Sequence, residues 1–495
     1  MSIKKNFLYN ILLNISNIAF PIITIPYVSR ILGVDQIGEF SFVTTLVEYF
    51  VLFAALGKTL FGSREIAKLK DNKRSCNRLF NRLFTINIIS SIFVSFIFLL
   101  SLFGIQQLTE IRCLLFIAGI PLYFSALDIN WFYSGLEKFK LISLRSVFVK
   151  LVLLIGLLCL VKNKSDLIIY VLLNSLTFLI NYIINIYFFI KEGFSIRLDL
   201  SDCKVNLKGL VLFFFSSLAM QIYLMIDTVM LGFMSSFYEL GIYSSAIKSV
   251  RILMPIMTSL GMVMLPRLSY CNNIGNVVEY RKMLDCAFDV INFCSWPLMA
   301  YFLCIADLFI LFFFGQSFGE ATLPLRICSV LFVVSNFSYF LGIQVMTTAS
   351  FESRYLIATV CGVIFNLLFN VILIPSMGAR GAAWASVIGE IMVSATCVYY
   401  VYKLKLYSIS WRCLKKSCCA SFIFPLVYVC MFLGSMEKNF LWFILYSFIA
   451  WVGYILIQCK LKNSVCMYIF STITSNPQLS SSASFLRLNV LSSLN

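Results

Sequence analysis

Apolar runs of about 17–25 residues recur from Phe7 to Cys459, and a run of that length crosses the hydrocarbon core of a bilayer as one helix. Inside lipid each backbone N–H and C=O must be satisfied by the protein itself, which restricts what such runs can fold into. Fourteen spans are expected, at 7–32, 40–60, 83–103, 113–132, 147–161, 168–190, 210–230, 246–265, 286–314, 325–347, 356–374, 383–401, 417–433 and 440–459. Only 12% of the 495 residues are charged, whereas soluble chains carry roughly 25%. So few charges do not cover a water-exposed surface, and an aromatic content of 16%, led by 49 Phe, suits a lipid-facing one. The expected fold is an all-α polytopic membrane protein of about 14 transmembrane helices with no sizeable soluble domain.

The first run continues past Arg30, too long for the apolar core of a signal peptide, so no cleavable leader is expected. The net charge of +17 points to cytoplasmic loops rather than to nucleic acid, because Lys and Arg hold loops back from translocation. With both termini inside, 28 of the 39 basic residues fall in cytoplasmic segments, 5 in outside segments and 6 within spans. The 17 Cys lie mostly in apolar runs without metal-type spacing and read as small hydrophobes. The chain has no His, so any proton relay must use carboxylates. No loop is long enough for a nucleotide-binding domain and no G-x-x-x-x-G-K-[ST] motif occurs, which excludes ATP-driven transport by this chain alone.

A repeat runs through the chain. Leu32-Gly33 is followed by Gly38-Glu39-Phe40-Ser41, and Leu231-Gly232 by Gly241-Ile242-Tyr243-Ser244. Both turns face outside, so the halves have parallel topology, an arrangement that in transporters encloses a site. Residues 1–209 are expected to form an N-terminal six-helix bundle, 210–409 a C-terminal six-helix bundle, and 410–460 transmembrane helices 13 and 14. Residues 461–495 form a Ser-rich tail expected to be cytoplasmic and poorly ordered.

An ionisable group in a bilayer costs roughly 2.5–3.5 kcal/mol on insertion scales, so each needs a reason. Span 8 places Ser244, Lys248, Arg251, Pro255 and Thr258 on one helical face. Arg251 lies roughly 8 Å below the outer boundary at 1.5 Å per residue. Snorkelling to the headgroups accounts for Lys248 better than for Arg251. Span 2 carries a matching face with Ser41, Thr45 and Glu48, and Glu48 stands at the repeat position of Arg251. Glu48 is expected either to couple transport or to form an ion pair, meeting Arg251 across a groove in one state. Asn10, Asn14, Asn17, Pro21 and Thr24 share a face of span 1, as helix–helix hydrogen bonding or as a wet wall. Arg30 either points inward or snorkels. Lys58, Lys150 and Arg326 are expected to snorkel. Asp128 lies near an inner end, Asp227 near an outer end within reach of a pair with Lys248, and Glu390 deep in span 12.

The opening Ile25-Pro26-Tyr27-Val28-Ser29-Arg30-Ile31-Leu32-Gly33 with Gly38-Glu39-Phe40-Ser41-Phe42 resembles the start of bacterial O-antigen and polysaccharide flippases. So does Asp227-Thr228-Val229-Met230-Leu231-Gly232 with Gly241-Ile242-Tyr243-Ser244-Ser245-Ala246. These belong to the multidrug/oligosaccharidyl-lipid/polysaccharide exporter superfamily. The resemblance implies a V-shaped pair of six-helix bundles in the bacterial inner membrane. It implies transport of an undecaprenyl-pyrophosphate-linked glycan to the periplasmic leaflet through a cationic cavity. Coupling to a proton or sodium, no other cofactor, and membrane lipids and polysaccharide polymerase machinery as further partners go with it. By position rather than motif, Arg30, Lys248 and Arg251 are assigned to pyrophosphate, and Glu48, Asp128, Asp227 and Glu390 to coupling or ion pairing. Asn10, Asn14, Asn17, Ser41, Thr45, Ser244 and Thr258 are assigned to the cavity wall. No catalytic or metal-binding residue is expected. Three competing readings are a cation-coupled multidrug exporter, a membrane-bound glycan polymerase or transferase, and a peptidoglycan-precursor flippase. The cationic stripe argues against the first and the lack of a large outside loop against the second.

Overall fold

A computed structural model describes residues 3–201, 203–409, 411–433, 439–463 and 465–467. Among them there is no strand. Most of the Ser-rich tail lies outside the described residues. The chain separates into two compact units, Met1–Gly241 and Ile242–Asn495.

In the first unit the helices are α1 (Ile3–Leu32), α2 (Val34–Ala55), α3 (Lys58–Leu69), α4 (Lys73–Gly104), α5 (Arg112–Ala118), α6 (Ile120–Tyr123), α7 (Asn130–Gly135), α8 (Phe139–Leu160), α9 (Leu167–Lys191) and α10 (Cys203–Met234). Then α11 (Phe237–Asn273) continues into the second unit. There follow α12 (Val277–Phe313), α13 (Thr322–Ser329), α14 (Leu331–Tyr339), a π-helical stretch at Phe340–Thr347, α15 (Glu352–Met377), α16 (Ala379–Lys403), α17 (Trp411–Ser421), α18 (Ile423–Leu433) and α19 (Phe440–Lys460).

Eleven helical segments among the described residues are long and apolar enough to cross a membrane. A count of fourteen requires α10, α11 and the broken 112–135 segment to be added. That segment corrects the expectation of one helix at 113–132. It is cut by the Gly119-Ile120-Pro121 sequence and by a non-helical stretch before α7. Proline removes a backbone donor and crowds the preceding turn. Span 2 also stops early. α2 ends at Ala55, Leu56 and Gly57 take φ of 45° and 76°, and α3 starts afresh at Lys58. A side chain on Gly57 would meet the backbone of Leu210 and Phe214 on α10 at 2.6 and 2.5 Å, so only glycine fits this turn.

The repeat has a physical meaning. The site of a Cβ on Gly38 lies 1.8 Å from the Phe237 carbonyl oxygen, and that on Gly241 lies 2.1 Å from the Val34 carbonyl oxygen. The two repeat glycines therefore let the starts of α2 and α11 touch backbone to backbone within the first unit.

The basic segments 64–82, 137–145 and 191–201 share one end of the first unit. Lys138 pairs with Glu192 at 2.6 Å, Lys70 with Glu137 at 3.5 Å and Arg82 with Asp199 at 3.4 Å. Hydrogen bonds from the Ser201 hydroxyl and N–H, with Arg82 nearby, hold the Asp199 carboxyl below the usual carboxylate range. Beneath this end lies an aromatic core built on Phe80, Phe84, Trp131, Phe132 and Phe189. In the second unit, α17 to α19 pack on α12 through Phe424, Trp442, Tyr446 and Tyr454, and the Tyr454 hydroxyl donates to the Phe293 carbonyl at 2.7 Å.

Candidate functional site

The breaks in the helices of the first unit expose backbone groups at membrane depth, where each needs a partner. The Ala54 carbonyl, at the end of α2, accepts from Asn87 Nδ2 and Ser90 Oγ of α4, each at 2.6 Å. The Ser125 carbonyl, in the break before α7, accepts from Lys58 Nζ at 2.7 Å, and Lys58 also donates to Asn87 Oδ1. Lys58 is 3% exposed, so it does not snorkel as expected. The early end of α2 turns it inward, and two acceptors from neighbouring segments hold it there.

Arg145 joins the same cluster from α8. It lies outside the expected spans 113–132 and 147–161, which makes it a loop cation, but α8 starts at Phe139 and leaves Arg145 only 8% exposed. Its Nη2 donates to Asn130 Oδ1 at 2.9 Å, and Asn185 Nδ2 on α9 donates to the same oxygen at 3.1 Å. Asp128 receives the Asn130 N–H at 3.2 Å and its Nδ2 at 2.8 Å. The Asp128 charge acts on both Lys58 and Arg145. Asp128 is thus a half-buried acid beside two buried cations, held by Asn130 and in direct contact with neither, a setting that the sequence concealed. Asn87 and Asn185 inside apolar runs were the available signal.

The other candidates of the first unit are spread over several surroundings. Arg30 is exposed at the last turn of α1. Asn10 and Asn14 have side chains outside the described residues. Asn17 is exposed and accepts from Lys150 of α8, so Lys150 has a protein partner where snorkelling was expected. On α2, Ser41 is buried, Thr45 half-buried and Glu48 exposed. Asp227 on α10 is 2% exposed, and its charge acts on Tyr49, whose hydroxyl donates to the Ile222 carbonyl at 3.3 Å.

In the second unit Ser244 is buried, while Lys248 and Arg251 are half-buried on α11. Thr258 is half-buried, and its carbonyl accepts from the Tyr339 hydroxyl at 3.5 Å. Glu390 on α16 accepts from Ser338 Oγ of α14 at 3.0 Å. Arg326 is half-buried, and its Nε is enclosed without a hydrogen-bond partner among the described residues. Further polar groups lie deeper in this unit. Asn370 donates to Asn366 at 3.2 Å, and Gln344 sits fully buried in the π-helical stretch. Among the described residues no group of three or more Cys, Asp or Glu is placed to hold a metal ion.

The profile of a family described as polysaccharide biosynthesis protein matches residues 3–271, more than half of the chain. The chain belongs to that family. Among its curated relatives, this family member is 24% identical over 412 residues to the "Putative O-antigen transporter" of Escherichia coli (strain K12), covering 82% of this chain and 98% of that one. It is also 24% identical over 410 residues to the capsular polysaccharide biosynthesis protein CapF of Staphylococcus aureus, covering 81% and 99%. Among solved structures, the inward closed form of the lipid II flippase MurJ superposes with a TM-score of 0.75 at 16% identity, over 95% of this chain and all of that one. An inward-facing multidrug resistance transporter of the MATE family gives 0.58 at 16% identity, over 83% and 97%. At such identities the likeness carries the fold. This family member is a multi-pass membrane protein, without a strand among the described residues, and shares the fold of those two transporters.

Proposed function

We propose that this chain is a flippase, not an enzyme, for an undecaprenyl-pyrophosphate-linked oligosaccharide such as an O-antigen or other polysaccharide repeat unit. It moves the glycan from the cytoplasmic to the periplasmic leaflet by alternating access. The observation that carries the reading is the family match together with near full-length similarity to an O-antigen transporter relative. Physical chemistry supports it. A lipid pyrophosphate is an anion whose sugar head does not cross hydrocarbon unaided. Arg grips phosphate oxygens through its planar fork, and Lys adds a point charge. Arg251 and Lys248, half-buried on α11, supply such groups in the second unit, and Arg30 a further cation in the first. Glu48, Asp227 and Glu390 are the carboxylates proposed for proton or sodium coupling. Polysaccharide polymerase machinery is the proposed downstream partner.

A second reading, transport of a peptidoglycan precursor, is favoured by the likeness to MurJ. Deleting the gene separates the two. The first reading expects loss of surface polysaccharide and build-up of unpolymerised lipid-linked repeat units facing the cytoplasm. Build-up of peptidoglycan precursor would move the assignment to the second. Normal levels of both, in a strain with no redundant flippase, would refute the flippase reading.

The bias of the basic residues supports a reading with both termini in the cytoplasm, and the family resemblance supports the inner membrane. A reporter fused after Lys460 is expected to be active only where cytoplasmic fusions are. Activity of a periplasm-dependent reporter at that point would reverse the orientation.

A further inference from the structure

A cavity of about 690 Å³ opens beside the start of α8, on the basic end of the first unit. Its polar wall is Glu137, Lys138, Lys140, Arg145 and Glu192, and its apolar wall includes Leu144 and Phe148. Both acids are already engaged, Glu137 by Lys70 and Glu192 by Lys138. Lys140 is exposed, and neither it nor Arg145 forms an ion pair among the described residues. Arg145 is more than nine-tenths buried, and its Nε and Nη1 have no hydrogen-bond partner among the described residues. α8 itself, 22 residues long, begins without a side-chain cap and with no acid in its first turn. Its leading N–H groups and positive dipole end therefore add to the same wall.

We propose that this cavity binds the phosphate headgroup of an anionic glycerophospholipid from the leaflet at the basic end. The argument for a lipid rather than a soluble phosphate is the face that continues from it. Leu144, Phe148, Leu151, Ile155 and Leu158 are exposed and fall at i, i+4, i+7, i+11 and i+14, one stripe along α8. An acyl chain lying on that stripe brings its phosphate to Lys140 and Arg145. Basic pockets among membrane helices take such headgroups for this reason. The site is independent of the glycan-transport reading, since it uses none of the residues assigned there to substrate or coupling.

The test uses the full-length protein purified in detergent, with native mass spectrometry and a photoreactive phosphatidylglycerol. Wild type is expected to retain phosphatidylglycerol over phosphatidylcholine of equal chain length and to crosslink within residues 136–148. Lys140→Glu, at an exposed position that leaves the fold intact, is expected to lower retention at least about fivefold, the worth of one basic residue at a membrane surface. Arg145→Lys keeps the charge and is expected to retain part of the crosslink. Equal retention of the two lipids, or an undiminished crosslink in Lys140→Glu, would overturn the proposal. So would full displacement by millimolar inorganic phosphate, which would mark a soluble-anion site. Preferential crosslinking of an undecaprenyl pyrophosphate probe at the same residues would mark a substrate site instead.

Discussion

Replacing Arg251 by Ala is expected to abolish glycan export from a protein that still inserts at normal levels. One hydrogen bond to a charged group is worth roughly 1.5–3 kcal/mol, or about 10- to 100-fold at 1.4 kcal/mol per decade. The loss is larger where a guanidinium grips two phosphate oxygens. Arg251→Lys keeps the charge and loses the fork, so partial export is expected. Lys248→Ala is expected to be milder, because Lys248 sits one turn closer to the α11 start and its head reaches the interface more easily. Glu48 is exposed on α2 and is proposed to carry the coupling charge. Glu48→Gln is therefore expected to weaken the dependence of export on the ion gradient more than it weakens substrate binding. Export measured in vesicles with and without an imposed gradient checks both statements. Wild-type rates in well-inserted Arg251→Ala and Glu48→Ala proteins would make both residues structural and end this mechanism.

Asp128→Asn is expected to destabilise the first unit. Lys58 and Arg145 are both buried, and the Asp128 charge acts on each. Asp128 pairs directly with neither cation, so its removal is expected to cost less than the roughly 3–5 kcal/mol of a broken buried pair. A through-space loss of about 1–2 kcal/mol lowers Tm by roughly 2–8 °C by the scaling of soluble domains. Thermal unfolding in detergent measures it. Lys58→Met alone removes one cation but leaves the Ser125 carbonyl and Asn87 without their donor. The double variant is expected to be more stable than the two single losses added together, because the charges compensate. A Tm for Asp128→Asn within a degree or so of wild type would mean that the Asp128 charge does not stabilise the two cations. Export by a stably inserted Asp128→Asn protein then decides between a structural and a coupling role.

The membrane-spanning, all-helical class was legible residue by residue, since an apolar run too long for a loop has one way to satisfy its backbone in lipid. The repeat was legible too. Gly38 and Gly241 stand at equivalent positions because a side chain at either would collide with backbone. The stripe of Ser244, Lys248 and Arg251 followed from helical period alone, and α11 is continuous through all three. What the sequence by itself determined is thus the class of fold, the kinds of residue at membrane depth, and which of them share a face.

Where the chain interrupts its own helices was decided in three dimensions. A break at Leu56-Gly57 is tolerable only because Asn87 and Ser90, some thirty residues on, reach the Ala54 carbonyl. The break before α7 is tolerable because Lys58 reaches the Ser125 carbonyl. Local hydropathy reports none of these partners, so it read 113–132 as one helix, Lys58 as snorkelling and Arg145 as a loop cation. The cost of a buried charge or an exposed carbonyl is set by what faces it across the fold, and only the tertiary structure brings those groups together.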